Sequence, residues 1–306
     1  MSAVWTPNLI MPGVAKCGTT TLYDLLVSHP RVTGGIEKEV RFLMDAEDEL
    51  ATAQNVRDLG VAGWADQFAD KGKGDFDIWL DASPQYQYQQ IALSTIAALA
   101  PQPKVLFVVR KPSARLFSLY QYARYHHKRL PHVTSFAQFI DEIRPPVDNR
   151  LNDQKMMVNA WADSHYDQML ARWSAVVPPE RLYVTSVEEL GADRDGVLTD
   201  IAHWLGIDPV PLLTSEVDRS NPTVKTRSRL IRMVGGRAAK LLPETPLVRR
   251  MKTFVREMNS APLDRDEVKQ NADLLAQLDA EFAPSMANFA ALRAKLGLAR
   301  NRSELV

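Results

Sequence analysis

Lys16, Glu39, Arg110 and Ser118 are the residues whose types and surroundings suit chemistry on a phosphate-like group. Lys16 lies in Pro12-Gly13-Val14-Ala15-Lys16-Cys17-Gly18-Thr19-Thr20-Thr21-Leu22, after the apolar run Leu9-Ile10-Met11 and before an apolar-periodic segment starting at Leu22. That order predicts strand, glycine turn and helix. Such a turn aims free backbone N–H groups and the positive end of a helix at one point, where an anion is stabilised. The loop adds one ammonium and the threonine hydroxyls, a donor set suited to a dianionic or bridging phosphate. Gly13 and Gly18 have the Walker A spacing, but Thr19 stands where that motif requires lysine, so the nucleotide held need not be ATP.

Arg110 follows the apolar run Lys104–Val109, at the strand end where α/β folds place ligands, and Ser118 follows on the next helix. A guanidinium fork and a hydroxyl suit a second phosphate. The ordinary alternative is a salt-bridged arginine and a solvent-facing serine. Glu39, in Lys38-Glu39-Val40-Arg41-Phe42, is a candidate general base toward an acceptor hydroxyl, or else a surface carboxylate in a charge run. His126-His127 lacks metal-ligand partners at useful spacing, and no metal is expected. Cys17 reads as a small side chain in a tight loop, although a helix N-terminus can activate a thiol.

The elements that must position these residues alternate between strand and helix. Phe76–Asp81, Lys104–Val109 and Arg181–Thr185 read as strands. Short helices are expected around Leu50–Leu59 and Ala62–Phe68, and further helices at Ile91–Leu99, from Pro112 onward, at Tyr166–Trp173 and at Leu198–Leu205. Residues 131–165 read as irregular, and Leu263–Leu298 as helical with a break near Pro284. The alternation favours a parallel sheet with helices on both faces. No repeat or convincing linker interrupts residues 1–306, which are expected to form one domain. From 225 to 256 the segment is basic: Lys225, Arg227, Arg229, Arg232, Arg237, Lys240, Arg249, Arg250, Lys252 and Arg256 face only Glu244.

The 306 residues carry 37 basic and 37 acidic side chains, so net charge argues neither for nor against nucleic acid, which is not among the expected partners. Hydrophobic content of 45% with 24% charged residues is that of a soluble globular protein. No apolar run approaches about 18 residues, and no integral membrane segment is expected. The N-terminal residues lack the basic and apolar regions of a signal peptide, and a lone cysteine suits a reducing compartment, so a cytoplasmic protein is expected.

Together the motifs resemble the sulfotransferase family, which uses 3′-phosphoadenosine-5′-phosphosulfate (PAPS). Gly13–Leu22 resembles the family's 5′-phosphosulfate loop, with His29-Pro30 at the usual distance beyond it. Val105–Ser118 resembles the 3′-phosphate motif, matched by Arg110, Pro112, Arg115 and Ser118. Lys38–Phe42 resembles the Lys-Glu-x-x-Phe segment of the heparan sulfate branch, whose glutamate is the proposed base. Leu80–Tyr86 looks like an acidic-or-basic, small, Ser/Thr-Pro-x-Tyr stretch of the family, and Arg181–Leu190 with Ile201–Gly206 resembles its later strand, turn and helix. Cys17 replaces the usual Ser or Thr, and Lys111 replaces a frequent Asp, which should make the 3′-phosphate end more positive.

The resemblance implies a three-layer P-loop-NTPase-like α/β fold and sulfuryl transfer from PAPS, without a metal, to an acceptor hydroxyl or amine. Lys16, Cys17, Gly18, Thr19, Thr20 and Thr21 would surround the 5′-phosphosulfate, Arg110 and Ser118 the 3′-phosphate, and Lys225 and Arg227 would close over the cofactor. Glu39 would act as base and Lys16 would stabilise the leaving oxygen. The expected acceptor is a small molecule or a glycan, a carbohydrate or glycolipid, with Tyr86, Tyr88 and Trp161 as stacking candidates. The competing readings are a P-loop kinase acting on a small molecule, and a non-catalytic module whose basic segment binds an anionic glycan or membrane. Oligomeric state is left open.

Overall fold

The computed structural model describes residues 4–298 apart from 53, 72–73, 125–129, 131, 148–150, 152–154, 216, 218–224, 227–259 and 262–264. Arg227, His126-His127 and nearly all of the basic 225–256 segment therefore lie outside the described residues.

Strand β1 (Leu9–Gly13), helix α1 (Thr19–Val27) and strand β2 (Val32–Gly34) open the chain. Helix α2 (Val56–Leu59) and a 3₁₀ helix (Val61–Lys71) lead to β3 (Ile78–Asp81), and a 3₁₀ turn (Pro84–Gln87) leads to α3 (Gln90–Ala98). Then come β4 (Lys104–Val109), α4 (Pro112–Tyr122), α5 (Phe136–Ile143), α6 (Lys155–Val158), α7 (Tyr166–Ser174) and β5 (Leu182–Ser186). Helices α8 (Val187–Ala192), α9 (Arg194–Leu205) and α10 (Val210–Leu213) follow. The last elements are the strand pair β6 (Lys225–Thr226) and β7 (Ser260–Ala261), then α11 (Arg265–Gln270) and α12 (Ala272–Lys295).

The main sheet has the order β2-β3-β1-β4-β5, and every neighbouring pair in it is parallel. Two-residue periodicity explains why β4 reads as one unbroken apolar run. Val105, Phe107 and Val109 enter one core with residues of α3, α7 and α12, while Leu106 and Val108 enter the other with α1 and α9. These are the three layers implied by the alternating elements. Because the strands are parallel, the segments that follow β1, β2, β3 and β4 all leave the same edge of the sheet. That edge receives the loop with Lys16, the stretch with Glu39, the turn with Ser83 and the start of α4 beside Arg110.

Two expectations are corrected. Residues 131–165 are not irregular throughout: Ser135 caps α5 by accepting from the Gln138 N–H at 3.1 Å, and Phe136, Phe139, Ile140 and Ile143 bury one helical face. Nor does Pro284 break the last helix, which runs through it from Ala272 to Lys295. Proline removes one intrahelical hydrogen bond. Packing on both sides outweighs that loss here: Leu278 and Phe282 are buried before it and Phe289 after it, and the Ser285 hydroxyl donates to Asp167 at 2.5 Å.

Candidate functional site

The β1–α1 loop is shaped by two left-handed residues, Lys16 (φ 70°) and Gly18 (φ 77°). Glycine tolerates that backbone freely. At Gly18 an added Cβ would also stand 3.3 Å from Val187. Gly18 is the N-cap of α1 and brings no side-chain acceptor, so the first turn of this nine-residue helix keeps N–H groups for an anion. Thr20 is exposed and Thr21 half-buried, whereas the Thr19 side chain is buried. Thr19 can therefore serve an anion mainly through its backbone.

Cys17 departs from the expected ligand set. Its side chain is fully buried in the core, 3.7 Å from the Tyr166 hydroxyl, and its N–H donates to the Val14 carbonyl at 3.2 Å. Burial pushes the thiol up to about 11, so it is neither a phosphate donor nor an activated nucleophile. Tyr166 on α7 also donates to the Arg110 carbonyl at 2.8 Å and so ties the β1–α1 loop to the end of β4.

Arg115 proves to be a support for the loop. Its guanidinium is fully buried beneath the loop and donates to Ala15 O (3.1 Å), Ala160 O (2.8 Å) and the Ser164 hydroxyl (2.7 Å). A charge so enclosed is tolerated because it is hydrogen-bonded and lies 3.8 Å from Asp163. Arg110 is half-buried at the end of β4, and Ser118, two turns further on along α4, is buried at 7% exposure. Lys111 does not add the positive charge expected of it. Its ammonium pairs with Asp279 of α12 at 2.7 Å, and the same carboxylate accepts from Ser113 at 2.5 Å.

Lys16 sits with its ammonium 4.2 Å from the Tyr122 ring centroid, a cation–π contact. Burial, and then the nearby Arg110, lower its pKa to about 8, while Cys17 and Glu39 act in the opposite sense. Residues 16, 39 and 110, distant in sequence, thus share one electrostatic environment. Glu39 accepts from Arg41 (2.6 Å) and Gln85 (3.1 Å), with Lys38 at 3.7 Å. Burial by itself raises the carboxyl pKa, but Lys38 and the hydrogen bonds from Arg41 and Gln85 more than offset it and hold it below the ordinary range.

Three neighbours were not singled out from sequence as site residues. Arg41 and Gln85 stand inside stretches already noted around Glu39 and Ser83, and Tyr122 is one helical turn beyond Ser118. Tyr86 is in the core rather than open to a sugar, and Trp161 packs on Phe282 with ring centroids 4.8 Å apart. Lys225 stands in the short strand β6, and Arg227 lies outside the described residues. Among the described residues no three His, Cys, Asp or Glu side chains stand together as a metal site, and no helix is long and apolar enough to cross a membrane.

A family profile described as the sulfotransferase family matches residues 7–211. The human bifunctional heparan sulfate N-deacetylase/N-sulfotransferase 3 is 27% identical over 204 residues, which are 66% of this chain and 22% of that protein. The human N-deacetylase/N-sulfotransferase 2 is 26% identical over 204 residues with the same coverage, 66% and 22%. The chain thus spans about a fifth of the length of these curated relatives. Among solved structures, a sulfotransferase from Alicyclobacillus acidocaldarius superposes with a TM-score of 0.61 at 20% identity, covering 98% of each chain. At that identity the likeness bears on the fold.

Proposed function

This chain belongs to the sulfotransferase family, and on that premise we propose that it moves a sulfuryl group from PAPS to a hydroxyl or amine of a carbohydrate acceptor. The observation that carries the proposal is that the segments bearing Lys16, Glu39 and Arg110, which follow β1, β2 and β4, all leave the carboxyl edge of one parallel sheet. The donor set fits PAPS at both ends: a helix N-terminus with a half-buried lysine, and a strand-end guanidinium with a helix hydroxyl.

When bound, PAPS supplies the activated sulfuryl group. The N–H groups at the start of α1 and the hydroxyls of Thr20 and Thr21 hold the 5′-phosphate side. Lys16 holds positive charge where negative charge develops on the bridging oxygen, an effect that works best when the donor is already in place. Arg110 and Ser118 hold the 3′-phosphate, which ATP lacks, and Lys225 and Arg227 are candidates to close over the nucleotide. Glu39 takes the acceptor proton. Its lowered pKa keeps it ionised near neutral pH, and Arg41 and Gln85 aim it. The carbohydrate assignment is supported by the names of the matched relatives and by the Lys38–Phe42 stretch. The lone cysteine suits a reducing, cytoplasmic setting.

The test is labelled-sulfate transfer from PAPS across a panel of de-N-sulfated heparin, other glycans, lipids and phenols. Glu39→Gln should lower turnover by about 10²–10⁴-fold while calorimetric binding of 3′-phosphoadenosine-5′-phosphate (PAP) stays near the parent value. Absence of PAP binding together with absence of transfer to every acceptor would overturn the proposal.

A further inference from the structure

Glu39 stands on neither a helix nor a strand, and Arg41, two residues on, has a φ of 55°. A non-glycine residue keeps that backbone only where its surroundings hold it. The holding groups come from the end of β3 and the turn after it. Asp81 is fully buried. One of its oxygens accepts from the Trp64 indole N–H at 3.1 Å and the Tyr86 hydroxyl at 3.0 Å, and the other accepts from the Ser83 hydroxyl at 2.6 Å.

An ionised carboxylate can only accept hydrogen bonds, whereas a hydroxyl has one proton to give. Both hydroxyls spend that proton on Asp81, which leaves their lone pairs facing the stretch that carries Glu39. The Ser83 oxygen accepts from the Arg41 N–H at 2.9 Å, and the Tyr86 oxygen from the Leu43 N–H at 3.1 Å. Gln85, between them in the same turn, donates to Glu39 itself at 3.1 Å. We infer that Asp81 is the positioning residue for Glu39: through the Ser83 and Tyr86 hydroxyls it orders residues 41–43 and thereby fixes where the Glu39 carboxylate points. This rests on Glu39 being the base, as proposed above. It also gives Asp81-Ala82-Ser83-Pro84-Gln85-Tyr86 a mechanical role: Asp81 orients the two hydroxyls, Ser83 and Tyr86 hold the Arg41 and Leu43 amides, and Gln85 contacts the base.

Amide hydrogen exchange on the intact chain tests the bracket without needing turnover. Ser83→Ala should speed exchange at the Arg41 amide, and Asp81→Asn at both Arg41 and Leu43, by roughly tenfold, about the worth of one hydrogen bond. Amides of β1 and β4 should keep their rates. With PAPS and de-N-sulfated heparin, Ser83→Ala should lower kcat roughly tenfold with little change in the KM for PAPS, and Ser83→Thr, which keeps a hydroxyl, should restore it. In a Glu39→Gln background Ser83→Ala should have no further effect on kcat, because the two act through one carboxylate. Parent exchange rates at Arg41 and Leu43 in both variants, or an undiminished kcat for Ser83→Ala beside an impaired Glu39→Gln, would overturn the inference. Full turnover by Glu39→Gln would instead remove the base assignment, and the exchange result would still decide whether Asp81 orders the segment.

Discussion

Lys16 is the residue whose neighbourhood decides most about the site. Its position inside a glycine loop was legible in the sequence; its packing on Tyr122 and the electrostatic influence of Arg110 were not, because those residues lie about a hundred positions away along the chain. With a folded pKa of about 8 against the usual 10.5, the folded protein binds fewer protons than the unfolded chain between those values. Stability should therefore rise with pH across that window, as the burden of a buried ammonium is relieved. Ligand binding should show the opposite sense, since phosphate favours the charged form. PAP affinity measured by calorimetry should fall above pH 8, approaching about tenfold per pH unit, and Lys16→Arg should flatten that dependence. Cys17 offers a second check. Held near 11 by burial, the thiol should resist iodoacetamide in the folded protein and react once urea unfolds it, as mass spectrometry would show. Sequence adjacency to a helix N-terminus allowed the reactive alternative, and only the direction of the side chain excludes it.

At the scale of elements, α12 shows how packing overrides a local signal. Its helical periodicity was visible, but proline at 284 argued for a break, since local propensity weighs a lost hydrogen bond and knows nothing of the partner surface. In the fold α12 lies against α4 and α7. Phe282 packs on Trp161 and His165, Phe289 on Tyr166, and Asp279 bonds Lys111 and Ser113 at the start of the helix that carries Ser118. Helix α12 thus supports the sheet edge that carries the candidate site. Phe282→Ala should destabilise the protein by about 3–5 kcal/mol, measured by urea unfolding, because it opens a cavity between α12 and the α4–α7 surface. Helix α5 teaches the converse. The spacing of Phe136, Phe139, Ile140 and Ile143 is helical in the sequence itself, within a stretch expected to be irregular.

Across the whole molecule, a parallel sheet with one functional edge accounts for the way nucleotide and acceptor would be held together. A ligand that bridges the β1–α1 loop and the end of β4 should stabilise the folded state. At a hundred times its dissociation constant PAP should add about 2.7 kcal/mol and raise the melting temperature, whereas ATP with Mg²⁺ at the same concentration should not. The reverse pattern would favour the kinase reading. The alternation of strands and helices, the glycine loop that opens α1 and the strand-end arginine were determined by the sequence alone, because hydrophobic period and turn chemistry act over a few residues. Which charges are left free was decided by the tertiary structure. Folding turned Arg115 inward as a prop, paired Lys111 with Asp279, buried the Cys17 thiol, and bracketed Glu39 between Arg41, Gln85 and the Asp81 network. Desolvation and hydrogen-bond pairing depend on which distant groups the packed core brings together, and no local pattern encodes that.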